Sequence, residues 1–280
     1  MPPTMTETTT PARPDYEAIT TRQRTVWAAG DYGAVAARIP IISETLCDAA
    51  DLRSGTRVLD VAGGTGNTAL AAARSGCEVV SLDYVPALLD RARVRAQAEG
   101  LPVELVEGDA QAMPFADASF DAVVSVVGAM FAPDQRRTAA EMLRVTRPGG
   151  TIALANWTPD GFVGELFRAV AAYAPPPPGL DPPLLWGVEA HVRDLFGDGV
   201  TDLRARRRTY AFRFDAPEGL TAFFREHYGP TVAAFAGLDP AEQHDLAVAI
   251  TALARRFDRL GGEGPSAIQA DYLELVATRA

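Results

Sequence analysis

The chain has 280 residues, a net charge of −10 and a hydrophobic content of 48%, which suits one large domain or a domain with a substantial insertion. The acidic balance speaks against a nucleic-acid backbone as the main partner, since phosphate binding needs a basic face. No apolar run in the sequence reaches the roughly 20 residues that cross a bilayer, so no membrane partner is expected.

Residues 1–15 are rich in Thr and Pro without an apolar stretch and read as a disordered tail rather than a signal peptide. Residues 16–50 read as an N-terminal helical lid: helix and turn over Tyr16–Val35, then an amphipathic helix over Pro40–Ala50. A β/α core follows over 51–157. Its expected strands are Arg57–Ala62, Glu78–Asp83, Val103–Glu107, Phe120–Val127 and Thr151–Ala155; its helices are Asn67–Ser75, Pro86–Gln97 and Asp134–Val145. Strands alternating with helices predict a parallel sheet covered on both faces. Residues 158–280 read as a substrate cap plus two strands that complete the sheet. They hold a helix over Gly161–Tyr173, a stiff connector from Pro175 to Pro178 and a helix over Val188–Phe196. A strand over Leu203–Phe214, helices over Leu220–Phe235 and Pro240–Leu260, and a final strand over Ala270–Ala277 come next. A helix end is the alternative for that last run. Arg204, Arg206 and Arg208 would share one strand face, read as solvated rather than as an anion site.

The stretch VLDVAGGTGN, Val58–Asn67, sits where a strand meets a helix. Small residues there let a ligand approach the backbone, and free amides favour an anion. Dinucleotide enzymes use the same device, so the turn alone decides little. Two carboxylates narrow the choice. Asp60, inside the strand ahead of Gly63, Gly64 and Gly66, needs loop amides or a ligand ammonium as partners and would repel a diphosphate. Asp83, ending the second strand, would face the same crevice and could accept from two ribose hydroxyls. The implied ligand carries a ribose and an amino acid.

In order, these motifs resemble the class I S-adenosylmethionine-dependent methyltransferases. VLDVAGGTGN resembles the first motif, in the form found in quinone C-methyltransferases; SLDY (Ser81–Tyr84) resembles the second. EGDAQAMPF (Glu107–Phe115) resembles the adenine-binding segment, FDAVVS (Phe120–Ser125) the fourth strand, and LRVTRPGG (Leu143–Gly150) the turn before the fifth. The resemblance implies a doubly wound α/β fold with a mostly parallel seven-stranded sheet, an antiparallel last strand and a helical cap. It implies S-adenosylmethionine as cofactor, with Asp83 on the ribose and Asp109, Ala110 and Gln111 at the adenine. It also places Gly64 and Gly66 along the methionine portion, with Asp60 orienting that loop, and backbone near Val127 and Gly128 at the ammonium. Tyr84, Val85 and Met113 would wall the adenine, although for Tyr84 and Met113 core packing is an equal alternative. Ala62 stands where many relatives carry the first glycine. Trp27 and Tyr32 are candidates to close the pocket from the lid.

A sulfonium methyl is already activated, so positioning dominates, and a general base serves only some acceptors. The candidate bases are His227, in REHYGPT, and His191; His244 lies in a polar run and reads as solvated. All 26 basic residues are arginine, which excludes Schiff-base lysine chemistry and a Walker-type phosphate loop. No metal-ligand spacing is present. Cys47 and Cys77 lack such spacing too and fit a reducing cytoplasm. The expectation is methyl transfer to a small biosynthetic or secondary metabolite, by a monomer or homodimer. The alternatives are non-methyl chemistry such as cyclisation on a retained cofactor, or a nicotinamide-dependent oxidoreductase.

Overall fold

The computed structural model describes residues 14–280. The expected tail lies outside the described residues except for Pro14 and Asp15, and Asp15 caps the first helix by accepting from the Ala18 amide at 3.0 Å.

Seven strands form one sheet: β1 (Arg57–Val61), β2 (Glu78–Asp83), β3 (Val103–Glu107), β4 (Phe120–Val126), β5 (Thr146–Trp157), β6 (Val200–Phe214) and β7 (Ser266–Arg279). Their spatial order is β3-β2-β1-β4-β5-β7-β6. The first five pair in parallel, and β7 runs antiparallel between β5 and β6. The apolar runs of β1, β2 and β4 are buried almost throughout, as a parallel sheet covered on both faces requires. β1 connects to β2 through α4 (Asn67–Arg74), and β4 connects to β5 through α6 (Gln135–Val145). These crossovers run in opposite directions across the sheet, so right-handed connections put α4 and α6 on opposite faces. Strand order reverses between β1 and β4, and the carboxyl ends of those strands flank a crevice.

The remaining helices are α1 (Tyr16–Ala28), α2 (Tyr32–Ala36), α3 (Pro40–Ala49), α5 (Pro86–Glu99), α7 (Phe162–Ala171), α8 (Glu189–Phe196), α9 (Pro217–His227), α10 (Gly229–Ala236) and α11 (Pro240–Phe257). The single helix expected over Leu220–Phe235 is therefore two. Pro230 has no amide proton, and its ring would clash with the carbonyl four residues back, so the helix stops and Tyr228 turns extended at φ −85°, ψ 105°. The final run is strand rather than helix end. β7 is longer than expected because β6 pairs with it along its whole length, from Phe214 opposite Ser266 to Val200 opposite Arg279. β6 likewise starts earlier, and its register shifts between Thr201 and Arg204, where Asp202 takes φ 49°.

α1 and α2 lie over the crevice and are tied down at several points. Arg24 donates to the Tyr84 carbonyl and pairs with Glu107, both at 3.0 Å. Asp31 pairs with Arg91, and its amide donates to the His227 carbonyl at 3.1 Å.

Candidate functional site

The chain leaves β1 through a loop that only small residues can form. Gly64 and Gly66 take φ 56° and 86°, and Ala62 takes φ 54°, a left-handed conformation that an alanine tolerates at some strain. A side chain at Gly63 would meet the Ser81 hydroxyl at 2.1 Å and an Asp60 oxygen at 2.6 Å, so nothing larger fits there. A side chain at Gly64 would meet only the Tyr32 ring, at 3.6 Å. Gly64 is thus the glycine that faces the lid.

Two buried carboxylates hold this loop. Asp60 Oδ2 accepts from the Ala69 amide at 3.0 Å, while Oδ1 has no hydrogen-bond partner. Burial, with Asp83 nearby, pushes the Asp60 carboxyl up to about 8. Asp83 accepts from the Gly64 amide at 2.9 Å and the Val85 amide at 2.8 Å, joining the end of β2 to the glycine loop. Burial raises its carboxyl as well, against those amides, which lower it.

Beyond β3, Asp109 accepts from the Gln111 amide at 2.8 Å and from the Gln111 side chain at 3.1 Å. The Gln111 carboxamide also reaches Thr20 on α1 at 3.1 Å and accepts from the Asp134 amide at 2.9 Å. This segment therefore fastens the lid to the core, and Ala110 is its residue in the crevice. At the end of β4, Val127 takes φ 50°, a real outlier for a β-branched residue. Its amide donates to the Ala155 carbonyl at 2.8 Å. A side chain at Gly128 would lie 2.4 Å from the Ala62 carbonyl, so here two loops meet backbone to backbone.

The resulting crevice encloses about 470 Å³ of void, part of it open to solvent. The lid contributes Trp27 and Tyr32, the glycine loop Ala62 and Gly64, and the end of β2 Asp83, Tyr84 and Val85. Leu88, Ala110, Val127, Gly128, Phe131 and Ala132 complete it. Asp60, Gly63, Gly66, Asp109 and Gln111, expected at the ligand, stand behind this lining: their polar atoms and small surfaces shape the loops that line it. Met113 is buried core. Leu88, Phe131 and Ala132 were not anticipated.

A second, narrower chamber, about 390 Å³ of void and part of it open to solvent, adjoins the crevice and shares Tyr32, Val127 and Phe131 with it. Val35, Ile39, Trp157, Val163, Leu166, Phe167, Phe212, Phe224 and Tyr228 form the rest of its wall. Trp27 packs edge-on to Tyr32, Phe131 and Tyr228, with ring centroids 5.6, 4.7 and 5.8 Å away.

Neither histidine proposed as a base lines either space. His227 ends α9, its ring 4.8 Å from that of Phe223, and the break that follows turns Tyr228 inward instead. His191 lies on α8 with Nε2 2.7 Å from Gln135 Oε1, fastening α8 to α6. Among the described residues no cluster of His, Cys, Asp and Glu could hold a metal. None of their helices is long and apolar enough to cross a membrane.

A family model described as a methyltransferase domain matches residues 59–154. An uncharacterised protein of Mycobacterium tuberculosis is 41% identical over 275 residues, covering 96% of this chain and 98% of its own length. The demethylmenaquinone methyltransferase of Thermus thermophilus is 35% identical over 153 residues, covering 49% of this chain and 70% of its own. Among solved structures, the YcgJ protein of Bacillus subtilis superposes with a TM-score of 0.58 at 19% identity, over 85% of this chain and 99% of that one. The fold thus extends well beyond the segment that the family model matches.

Proposed function

The chain belongs to the class I S-adenosylmethionine-dependent methyltransferases, and from that premise we propose that it methylates a small, largely apolar acceptor held in the aromatic chamber. The observation that carries this reading is the adjacency of the two spaces, which have Tyr32, Val127 and Phe131 as a common wall. One space has the features of a nucleoside site, and the other is walled almost wholly by aliphatic and aromatic side chains.

When bound, S-adenosylmethionine supplies a methyl group activated by its sulfonium. The residues present fit it. Asp83 lines the crevice with each oxygen holding one backbone amide, which leaves further lone pairs for ribose hydroxyls. The buried Asp60 carboxyl ties the start of α4 to the glycine loop, along which the methionine portion would run. Val85, Leu88 and Ala110 offer the flat apolar walls that an adenine needs.

The protein's own part is to bind, align and exclude water. Val127, with its strained backbone, and Phe131 line both spaces and fix how they sit side by side. In-line positioning there supplies most of the acceleration such a reaction requires. The chamber's aromatic walls keep water from the point where a cation is neutralised. The acidic surface and the two buried, unpaired cysteines support a biosynthetic enzyme of the cytoplasm.

Incubation with isotopically labelled S-adenosylmethionine and fractionated metabolite extract, read by mass spectrometry, tests this. A labelled low-molecular-weight product that partitions into organic solvent is expected. Label recovered only in protein or nucleic acid would refute the proposal.

A further inference from the structure

The chamber's polar equipment is sparse and specific. Among the described residues no Asp, Glu, His or Arg lines it. Its polar side-chain atoms are the Trp157 indole nitrogen and two phenol hydroxyls, those of Tyr32 and Tyr228. Tyr228 is 8% exposed. Neither phenol has a hydrogen-bond partner, and both face the void, where a ligand could engage them. Both rings pack on the Trp27 indole, at 5.6 and 5.8 Å, so the lid sets their spacing.

Resting on the methyltransferase reading, we propose that Tyr32 and Tyr228 form a two-phenol clamp for an oxygen anion, so that the acceptor is an enol or phenol held as its enolate or phenolate. Burial pushes the Tyr32 phenol up to about 12 and the Tyr228 phenol well above the ordinary value, with each near the other. Both stay protonated at any physiological pH and can donate. Paired phenol donors in an apolar site are an effective way to stabilise such an anion. Of the charged groups around it, Asp83 also raises the Tyr32 phenol, and Asp31, the residue before it, is paired with Arg91. Facing Tyr228, the other titratable group is Tyr32 itself.

The clamp also removes the need for a base in the chamber. The acceptor's hydroxyl proton passes to solvent as the anion is bound. A lone pair of that oxygen would then form the bond to the methyl carbon, while the electron pair of the broken carbon–sulfur bond would return to sulfur. Cation and anion cancel, and no further proton acceptor is required when oxygen attacks.

Binding of 4-nitrophenol, 4-nitroaniline and 4-nitrotoluene to the full chain saturated with S-adenosylhomocysteine separates the possibilities. In mildly alkaline buffer 4-nitrophenol should bind roughly tenfold or more tightly than the other two, as expected for hydrogen bonds to a charged group. The bound ligand should show the phenolate absorption band. Tyr228→Phe should remove most of that preference while leaving 4-nitrotoluene affinity within about twofold, a hydroxyl-only effect. Equal affinity for the three probes, preference for the aniline, an equal loss for all probes in Tyr228→Phe, or no binding by any of them would overturn the clamp. Binding of S-adenosylhomocysteine, measured by thermal shift on the same samples, reports separately on the methyltransferase reading. Tyr32→Phe serves as a second variant if Tyr228→Phe lowers the melting temperature.

Discussion

At the scale of single residues, Asp60 carries a pH dependence that can be worked out. Its carboxyl rises from the ordinary 3.8 to about 8 in the fold, so the native state holds a proton that the unfolded chain has lost. Its contribution to stability is full below about pH 4, declines as the pH climbs, and is gone above about 8. Thermal melts across that window should fall less steeply with pH for Asp60→Asn than for the parent, since the amide cannot ionise. Parallel curves would mean that Asp60 is ionised in the native protein throughout. Ala62 offers a second reading. Relief of its left-handed φ should outweigh the added freedom of the unfolded chain, so Ala62→Gly should gain up to about 1 kcal/mol in denaturant melts. A loss of that size would place the strain elsewhere. Asp60 and Asp109 were prominent in the sequence, yet their placement behind the crevice lining was not. Asp60 accepts from the Ala69 amide at the start of α4, and Asp109 accepts from the Gln111 amide and side chain, so each carboxyl is turned toward neighbouring donors.

At the scale of elements, the lid rests on one backbone contact in particular. A side chain at Gly229 would stand 2.3 Å from the Val26 carbonyl, so α10 touches α1 where no side chain can intervene. Gly229→Ala should push α1 outward, an overpacking costing about 1–3 kcal/mol locally. Limited proteolysis should then cut within residues 16–30 faster, with the β/α core protected as before; unchanged cleavage would show that α1 is held mainly by Arg24 and Gln111. The β/α core was legible because each of its elements is local: an apolar run, a glycine turn, an alternation repeated. The chamber was not, because α2, α7, α9, β5 and β6 each give it one or a few side chains, and no periodicity links Trp157 to Phe212 or Tyr228. A signal for Tyr228 did exist in the sequence. Pro230 forbids a continuous helix, and the residues just before such a break are turned off the helical surface.

At the scale of the whole molecule, the sheet ends in a long free edge. β6 pairs only with β7, so its other side is a sheet edge 15 residues long, met there by side chains such as Arg38 and Arg193, which donate to the Arg213 and Leu203 carbonyls. Arg204, Arg206, Arg207 and Arg213 are exposed along it, and repelling charge of one sign is a recognised guard against edge-to-edge pairing. The arginine run thus reads as protection of the edge, with Arg208 held inward by Glu274 at 2.6 Å and Arg207 by Asp271 at 2.8 Å. Replacing Arg204, Arg206 and Arg213 together by Val should raise the mass seen in light scattering, with aggregation at higher concentration. A triple variant with the parent's mass would remove this role from the arginines.

Isothermal titration of the full chain with S-adenosylhomocysteine bears most directly on the account, which depends on a nucleoside crevice anchored by Asp83. One ligand should bind per chain. Asp83→Ala should lose about 2 kcal/mol or more, the worth of hydrogen bonds to a charged group, whereas Asp109→Asn, behind the lining, should stay within about 1 kcal/mol of the parent. No heat with the parent, tighter binding of NADH, or an Asp83→Ala variant that binds as well as the parent would contradict it.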